Sequence, residues 1–217
     1  MKTRIFLVDD HAMVRQGLAA MIGKEHGWEV CGEAADASTA TSEISRLRPD
    51  LVIVDISLPG ASGIELVKNI QAIDPAIRFV VLSAHDESVY ALRALKAGAK
   101  GYVMKQDKAD AVIAAVRKVI KGQIYVSEQV NGEVLNRMIR GQDGPDDSPV
   151  AGLSDRELEV ATLIGSGLGT REIGARLRVS VKTVETHRAR LKTKLSLNTA
   201  MQLVQFCVRW VDAGRQP

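Results

Sequence analysis

Cysteine is nearly absent from this chain: two residues in 217, Cys31 and Cys207, far apart and outside any Cys-x-x-Cys pair. That excludes a disulfide framework and a cysteine zinc site. No stretch is apolar enough to span a bilayer. The longest run without a charged residue, Leu195 to Val208, still carries Asn and Gln and falls short of the ~20 apolar residues a membrane helix requires. No secretory leader is expected, because Met1-Lys2-Thr3 passes directly into a strand-like segment, and no internal repeat is present. Together these absences predict a cytoplasmic protein with no membrane partner. Charge of one sign is not in excess either, with 29 Lys and Arg against 26 Asp and Glu and a formal net charge of +3. At 46% hydrophobic residues the composition excludes bulk disorder, and the length accommodates two small domains.

What is present is an alternation. Short apolar runs at 4–10, 29–32, 51–55, 79–83 and 101–105 are separated by segments with apolar residues at helical spacing, such as Leu92, Leu95 and Ala99, or Val112, Ile113, Val116 and Ile120. Ser62 with Glu65, and Asp107, stand as helix-start signals. Strands this continuously apolar are buried on both faces, so the expected fold is an α/β doubly wound five-stranded parallel sheet over residues 1–125. Residues 126–152 are expected to form a linker with an extra helix near 127–140, because Gly141 to Pro149 stacks Gly, Pro and Asp with nothing to bury. Residues 153–217 follow as a small all-α domain with helices near 155–166, 171–177, 181–195 and 199–212. Ser154 with Glu157 forms a capping box, and Ser180 is a further N-cap. The basic excess sits in this last domain, with 11 basic against 6 acidic residues, where it attracts a polyanion.

Three carboxylates, Asp9, Asp10 and Asp55, stand at strand ends, which in a doubly wound sheet face the ligand crevice. Their repulsion is tolerable around a hard cation, and Mg²⁺ is the physiological candidate. Ser83 and Lys105 reach the same rim from the fourth and fifth strands. A cation, a hydroxyl and an ammonium around a carboxylate make a clamp for a transferring phosphoryl group, with Asp55 as the nucleophile.

The strings Val8-Asp9-Asp10-His11, Val14-Arg15-Gln16-Gly17-Leu18, Asp55-Ile56-Ser57-Leu58-Pro59-Gly60, Gly63-Ile64-Glu65-Leu66 and Leu82-Ser83-Ala84, together with Lys105, resemble the receiver domain of two-component response regulators over residues 3–121. That resemblance implies a flavodoxin-like fold with Asp55 as phospho-acceptor. Asp10 and Asp55 would ligate Mg²⁺ directly, Asp9 through water and Ser57 through its backbone carbonyl. Ser83 and Lys105 would bond phosphoryl oxygens, and Tyr102 would be the aromatic switch that turns inward when Ser83 moves. Gln106 departs from the family, which often has proline after this lysine.

Residues 153–212, with Leu153-Ser154-Asp155-Arg156-Glu157-Leu158-Glu159-Val160 and Val179-Ser180-Val181-Lys182-Thr183-Val184-Glu185-Thr186-His187, resemble a LuxR-type helix-turn-helix, and the combination is similar to the NarL/FixJ subfamily. On its third helix, Val181, Val184, Leu191 and Leu195 form one apolar stripe, with His187 packed at the core edge. The opposite face offers Lys182, Glu185, Thr186 and Ala189 to base edges in the major groove. Arg188, Arg190 and Lys192, with Thr170 and Arg171 of the preceding helix, are the phosphate contacts. The last helix presents Ala200, Leu203, Val204, Cys207 and Val211 on one side with Phe206 and Trp210 beyond. That arc covers the first helix of the domain or meets its twin in a homodimer.

The implied function is a cytoplasmic transcription regulator. A sensor histidine kinase phosphorylates Asp55 and thereby controls binding to double-stranded promoter DNA as a homodimer. The chain would not be a metabolic enzyme, apart from Mg²⁺-dependent autophosphorylation and autodephosphorylation. The expectation is that the receiver covers the recognition helix at rest and that the flexible linker lets it leave. Two other readings are disfavoured: a small-molecule phosphatase with an Asp nucleophile, which would leave the helix-turn-helix signature unexplained, and a regulator of the same fold controlled without phosphorylation, against which the intact Asp9, Asp10, Asp55, Ser83 and Lys105 argue.

Overall fold

Four of the five strands of the sheet are apolar runs that end at a polar side chain, whereas the strand Trp28–Ala34 carries Glu29 and Glu33. The computed structural model describes residues 2–139 and 149–214. Five strands, β1 (Thr3–Val8), β2 (Trp28–Ala34), β3 (Leu51–Asp55), β4 (Arg78–Ser83) and β5 (Gly101–Met104), pair in parallel in the order β2-β1-β3-β4-β5. They alternate with α1 (Ala12–Ile22), α2 (Ala37–Leu47), α3 (Gly63–Ile73), α4 (Glu87–Lys96) and α5 (Ala109–Ile120), and α6 (Glu128–Ile139) follows. One face of the sheet, with Ile5, Leu7, Ile53, Val80, Leu82 and Val103, packs against Leu18 and Ile22 of α1 and Val112, Val116 and Val119 of α5. Alternation sends Phe6, Val52, Val54, Phe79 and Val81, all fully buried, to the other face. This is the doubly wound parallel fold the alternation predicts.

Local signals account for most helix starts. Asp36 and Asp86 cap α2 and α4 by accepting from the N–H groups of Thr39 and Ser88. Ser62 caps α3 from Ile64, while Glu65 lies exposed. Asp107 does not cap α5. That helix starts after Lys108, and the Asp107 carboxylate instead accepts from the Met104 N–H at 3.0 Å.

The chain divides into compact units at Arg137/Met138. The acidic stretch expected at 141–149 lies outside the described residues except for Pro149. The C-terminal unit holds α7 (Asp155–Gly165), α8 (Thr170–Leu177), α9 (Val181–Lys194) and α10 (Ala200–Gly214), and Ser154 and Glu157 form the full capping box on α7. Leu203, Cys207 and Val211 of α10 are buried. The approach of α10 to α7 is close enough that a Cβ on Gly165 would stand 2.4 Å from the Cys207 carbonyl oxygen. Ala200 and Val204, expected on the same side, are exposed.

Candidate functional sites

The order of strands reverses between β1 and β3, and the carboxyl ends of these two neighbours carry Asp9, Asp10 and Asp55. Asp9 and Asp55 are 2% and 4% exposed, a degree of withdrawal carboxylates rarely show without a partner. The partner is Lys105, which follows β5. Its Nζ lies 2.7 Å from Asp55 Oδ2 and 2.7 Å from Asp9 Oδ2. Burial pushes the Asp55 carboxyl above its ordinary range and the neighbouring Asp9 adds to this, against the opposing pull of Lys105. Burial alone would lower the Lys105 ammonium, but the two carboxylates outweigh it and hold it above its usual value.

His11 joins this group. Its Nδ1 lies 2.6 Å from Asp10 Oδ1, and its backbone N–H donates to Asp9 Oδ1 at 2.8 Å. Ligand atoms of Asp9, Asp10, His11 and Asp55 all fall within 4.8 Å of one another. Three carboxylates in so small a space are a hard oxygen donor set, and they fit a divalent cation of the Mg²⁺ class. The sequence analysis placed the three aspartates there but not the histidine.

Ser83 and Tyr102 are both buried, and the half-buried His85 bonds to each. The His85 N–H donates to Ser83 Oγ at 3.0 Å, and the Tyr102 hydroxyl donates to the His85 carbonyl at 2.9 Å. The His85 ring reaches across to Ser57, with Nε2 2.8 Å from its Oγ, and stacks at 4.8 Å on Tyr90. Burial raises the Tyr102 phenol well above its ordinary value, keeping it a neutral donor. His85 thus ties the loop after β3 to the loop after β4. Nothing in the sequence pattern marks it. Gly63 was likewise not singled out for this site, although a Cβ there would stand 1.9 Å from the Asp55 carbonyl oxygen. Among the described residues no peptide bond is cis, including the one joining Lys105 to Gln106.

In the C-terminal unit α9 buries Val184 and Leu191, with Leu195 and His187 half-buried beside them. Val181 departs from the expected stripe. It is 48% exposed because it opens the helix, ahead of the turn that packs on the core. Lys182, Glu185, Thr186, Ala189 and Arg190 are exposed on the outer face, and Lys192 is half-buried. Arg171 at the start of α8 is exposed, and the Thr170 hydroxyl donates to Glu185 Oε1 at 2.9 Å, joining the two helices on that face. Arg188 is less available than its charge suggests. Its side chain is 15% exposed, with Nε 3.9 Å from Glu185 Oε1. A pair that the sequence analysis passed over, Arg156 and Glu159 of α7, is buried at 5% and 0% exposure.

The family model described as the response regulator receiver domain matches residues 5–117, and that of the bacterial regulatory proteins of the luxR family matches residues 151–207. The chain therefore belongs to the response regulators, with an N-terminal receiver domain and a C-terminal LuxR-type helix-turn-helix domain. Among curated relatives, the oxygen regulatory protein NreC of Staphylococcus haemolyticus is 35% identical over 95% of this chain and 97% of its own. NreC of Staphylococcus aureus is likewise 35% identical over 95% of this chain. A two-component response regulator of the LuxR family from Aurantimonas sp. matches at 35% identity and TM-score 0.59, over 64% of this chain and 99% of that one. RcsB from Salmonella enterica, in a structure bound to a promoter, shares the fold at TM-score 0.62 and 23% identity over 96% of this chain. The protein is a response regulator whose DNA binding and transcriptional output are under phosphorylation control.

Proposed function

We propose that Asp55 is the phospho-acceptor of this receiver and that a sensor histidine kinase is the donor. A carboxylate oxygen of Asp55 attacks phosphorus, the P–N bond of the kinase phosphohistidine breaks, and the leaving imidazole nitrogen takes up a proton. Water later cleaves the new P–O bond, restoring the carboxylate and releasing inorganic phosphate. The observation that carries this is the Lys105 ammonium, shared at 2.7 Å between the carboxylates of Asp55 and Asp9 and positioned to pair with negative charge added at Asp55.

Asp10 and Asp55 would hold Mg²⁺ directly, Asp9 through water and Ser57 through its backbone carbonyl. Bound there, the cation supplies charge neutralisation for the phosphoryl oxygens. The chain's own groups do the rest. Ser83 Oγ, which accepts from the His85 N–H, would donate its own proton to a phosphoryl oxygen. Phosphorylation adds roughly 1.5 to 2 negative charges at pH 7. Ser83 and Lys105 are drawn to them, and Tyr102 and His85 follow through their hydrogen bonds.

The output is double-stranded promoter DNA. Lys182, Glu185, Thr186 and Ala189 would face base edges, with Arg171, Arg190 and Lys192 on phosphates. Thr170 and Arg188, the other expected phosphate contacts, also lie against Glu185. On α10, Met201 at 71% and Val204 at 39% exposure support a homodimer formed through that helix. The molecule would work in the cytoplasm. No helix among the described residues is long and apolar enough to cross a membrane.

DNA selection from a random duplex pool tests the reading. Acetyl phosphate with Mg²⁺ is expected to raise the affinity of the wild type for selected duplexes and to leave Asp55→Asn unchanged. Equal responses of the two proteins would refute Asp55 as the control point.

A further inference from the structure

We infer that the buried ion pair Arg156–Glu159 of α7 consists of positioning residues for sequence readout, fixing the recognition helix by holding the turn that precedes it. The inference rests on the DNA-binding reading above and deepens it. Arg156 Nη1 donates to Glu159 Oε2 at 2.7 Å while Nη2 donates to the Leu177 carbonyl at 3.1 Å. One planar guanidinium therefore ties two helices, a geometry that lysine, a single point charge, does not reproduce.

The place it grips is decisive. Leu177 is the last residue of α8, and its carbonyl is one of those a helix end leaves without an intrahelical donor. Arg178 then takes a left-handed conformation at φ 51°, and α9 begins at Val181. Three residues, 178–180, thus set the angle between α8 and α9. The turn folds back tightly: the Val179 N–H donates to the Gly174 carbonyl at 2.9 Å, and a Cβ on Gly174 would stand 3.0 Å from the Val179 carbonyl oxygen. On the outer face, Thr170 and Glu185 form the second tie between the two helices. The recognition helix is pinned at its entrance from inside and at its middle from outside.

Stability does not explain the pair. The helix that carries it is buried along much of its length, with Leu158, Val160, Ala161 and Ile164 all withdrawn from solvent. Taking two charges out of water into such surroundings is no better for stability than packing apolar side chains of similar volume. What the charged pair adds is direction, because a hydrogen-bonded fork has one geometry and an apolar contact has many. Phosphate contacts tolerate a small rotation of α9, whereas base-edge contacts do not. The pair therefore acts on discrimination more than on general DNA affinity.

The test uses the full-length chain treated with acetyl phosphate and Mg²⁺. A duplex selected by the wild type from a random pool is compared with an unselected mixed-sequence duplex, and the affinity ratio is read. In R156M/E159L the helical circular dichroism, the melting midpoint and mixed-sequence affinity are expected to stay close to wild type. The ratio is expected to fall by about tenfold, comparable to one misread base pair. Arg156→Lys keeps the charge but loses the fork and is expected to lower the ratio as well; it decides the matter if R156M/E159L does not fold. An unchanged ratio in both variants overturns the inference while leaving the DNA reading in place. A wild type with no preference for any duplex removes that reading, and the inference with it.

Discussion

The Lys105 ammonium lies 2.7 Å from the Asp55 carboxylate, and both are withdrawn from solvent, with side-chain exposures of 19% and 4%. The contact compensates a carboxylate whose burial and whose neighbour Asp9 both disfavour its charge. Asp55→Asn removes that cost while Lys105 keeps Asp9 as a partner. In the absence of divalent cations the variant is expected to be more stable than wild type by about 1 kcal/mol, or about 4 °C in melting midpoint. Adding Mg²⁺ should raise the wild-type midpoint more than the variant's, because a ligand stabilises the state that binds it. Calorimetry with and without EDTA checks both, and a variant that melts lower than wild type in EDTA contradicts the account.

Gly63 touches the same residue through the backbone. A methyl group at this position would meet the Asp55 carbonyl oxygen at 1.9 Å, so the start of α3 must shift. Gly63→Ala is expected to cost about 2–3 kcal/mol, in the range of overpacked sites, and to slow labelling of Asp55. Urea unfolding measures the first and a phosphorylation time course the second.

The C-terminal domain should be sensitive to acid through Glu157. Burial works to raise its carboxyl, but Lys194 at 2.7 Å and the Ser154 N–H at 2.8 Å prevail and hold it below the ordinary range. A carboxyl depressed in the folded state contributes stability that is fully present above its unfolded value of 4.5 and is lost as pH falls through the folded value. Glu157→Gln keeps the capping hydrogen bonds but loses the charge opposite Lys194, so it is expected to lower stability by at most about 1 kcal/mol at pH 7 and to lose less than wild type between pH 5 and pH 3. Urea midpoints across that range report it.

Glu159→Gln, unlike the paired replacement, leaves the buried Arg156 guanidinium without its counter-charge. The expected cost is about 3–5 kcal/mol, enough to unfold much of this domain near physiological temperature. Circular dichroism melting of single and paired variants separates the two cases, and a single variant as stable as the pair would show that the charges are not coupled.

The sheet was legible because β3 and β4 are unbroken apolar runs that end on Asp55 and Ser83, so one pattern gives both the strand and the functional side chain at its end. Helix periodicity was less complete. It assigned Val181 to the core because it counts phase and does not register that the first turn of α9 lies beyond the packing partner. It also treated Arg188 as a free cation, although a long side chain can lie along its own helix toward Glu185. Arg156 and Glu159 were invisible for the opposite reason, since charged residues on a helix are ordinarily solvated and only the packing of the other helices of the domain on α7 buries them. His85 and Gly63 act through contacts between loops and backbone, which no spacing rule encodes.

The central claim is that Asp55 is reversibly phosphorylated. Incubating the protein with acetyl phosphate and Mg²⁺, trapping the product and mapping it by peptide mass spectrometry tests this directly. The account predicts the mass of one phosphoryl group on the peptide that contains Asp55, absent from Asp55→Asn and lost on standing as inorganic phosphate. A protein that remains unlabelled, or is labelled at another residue with Asp55 intact, would contradict it.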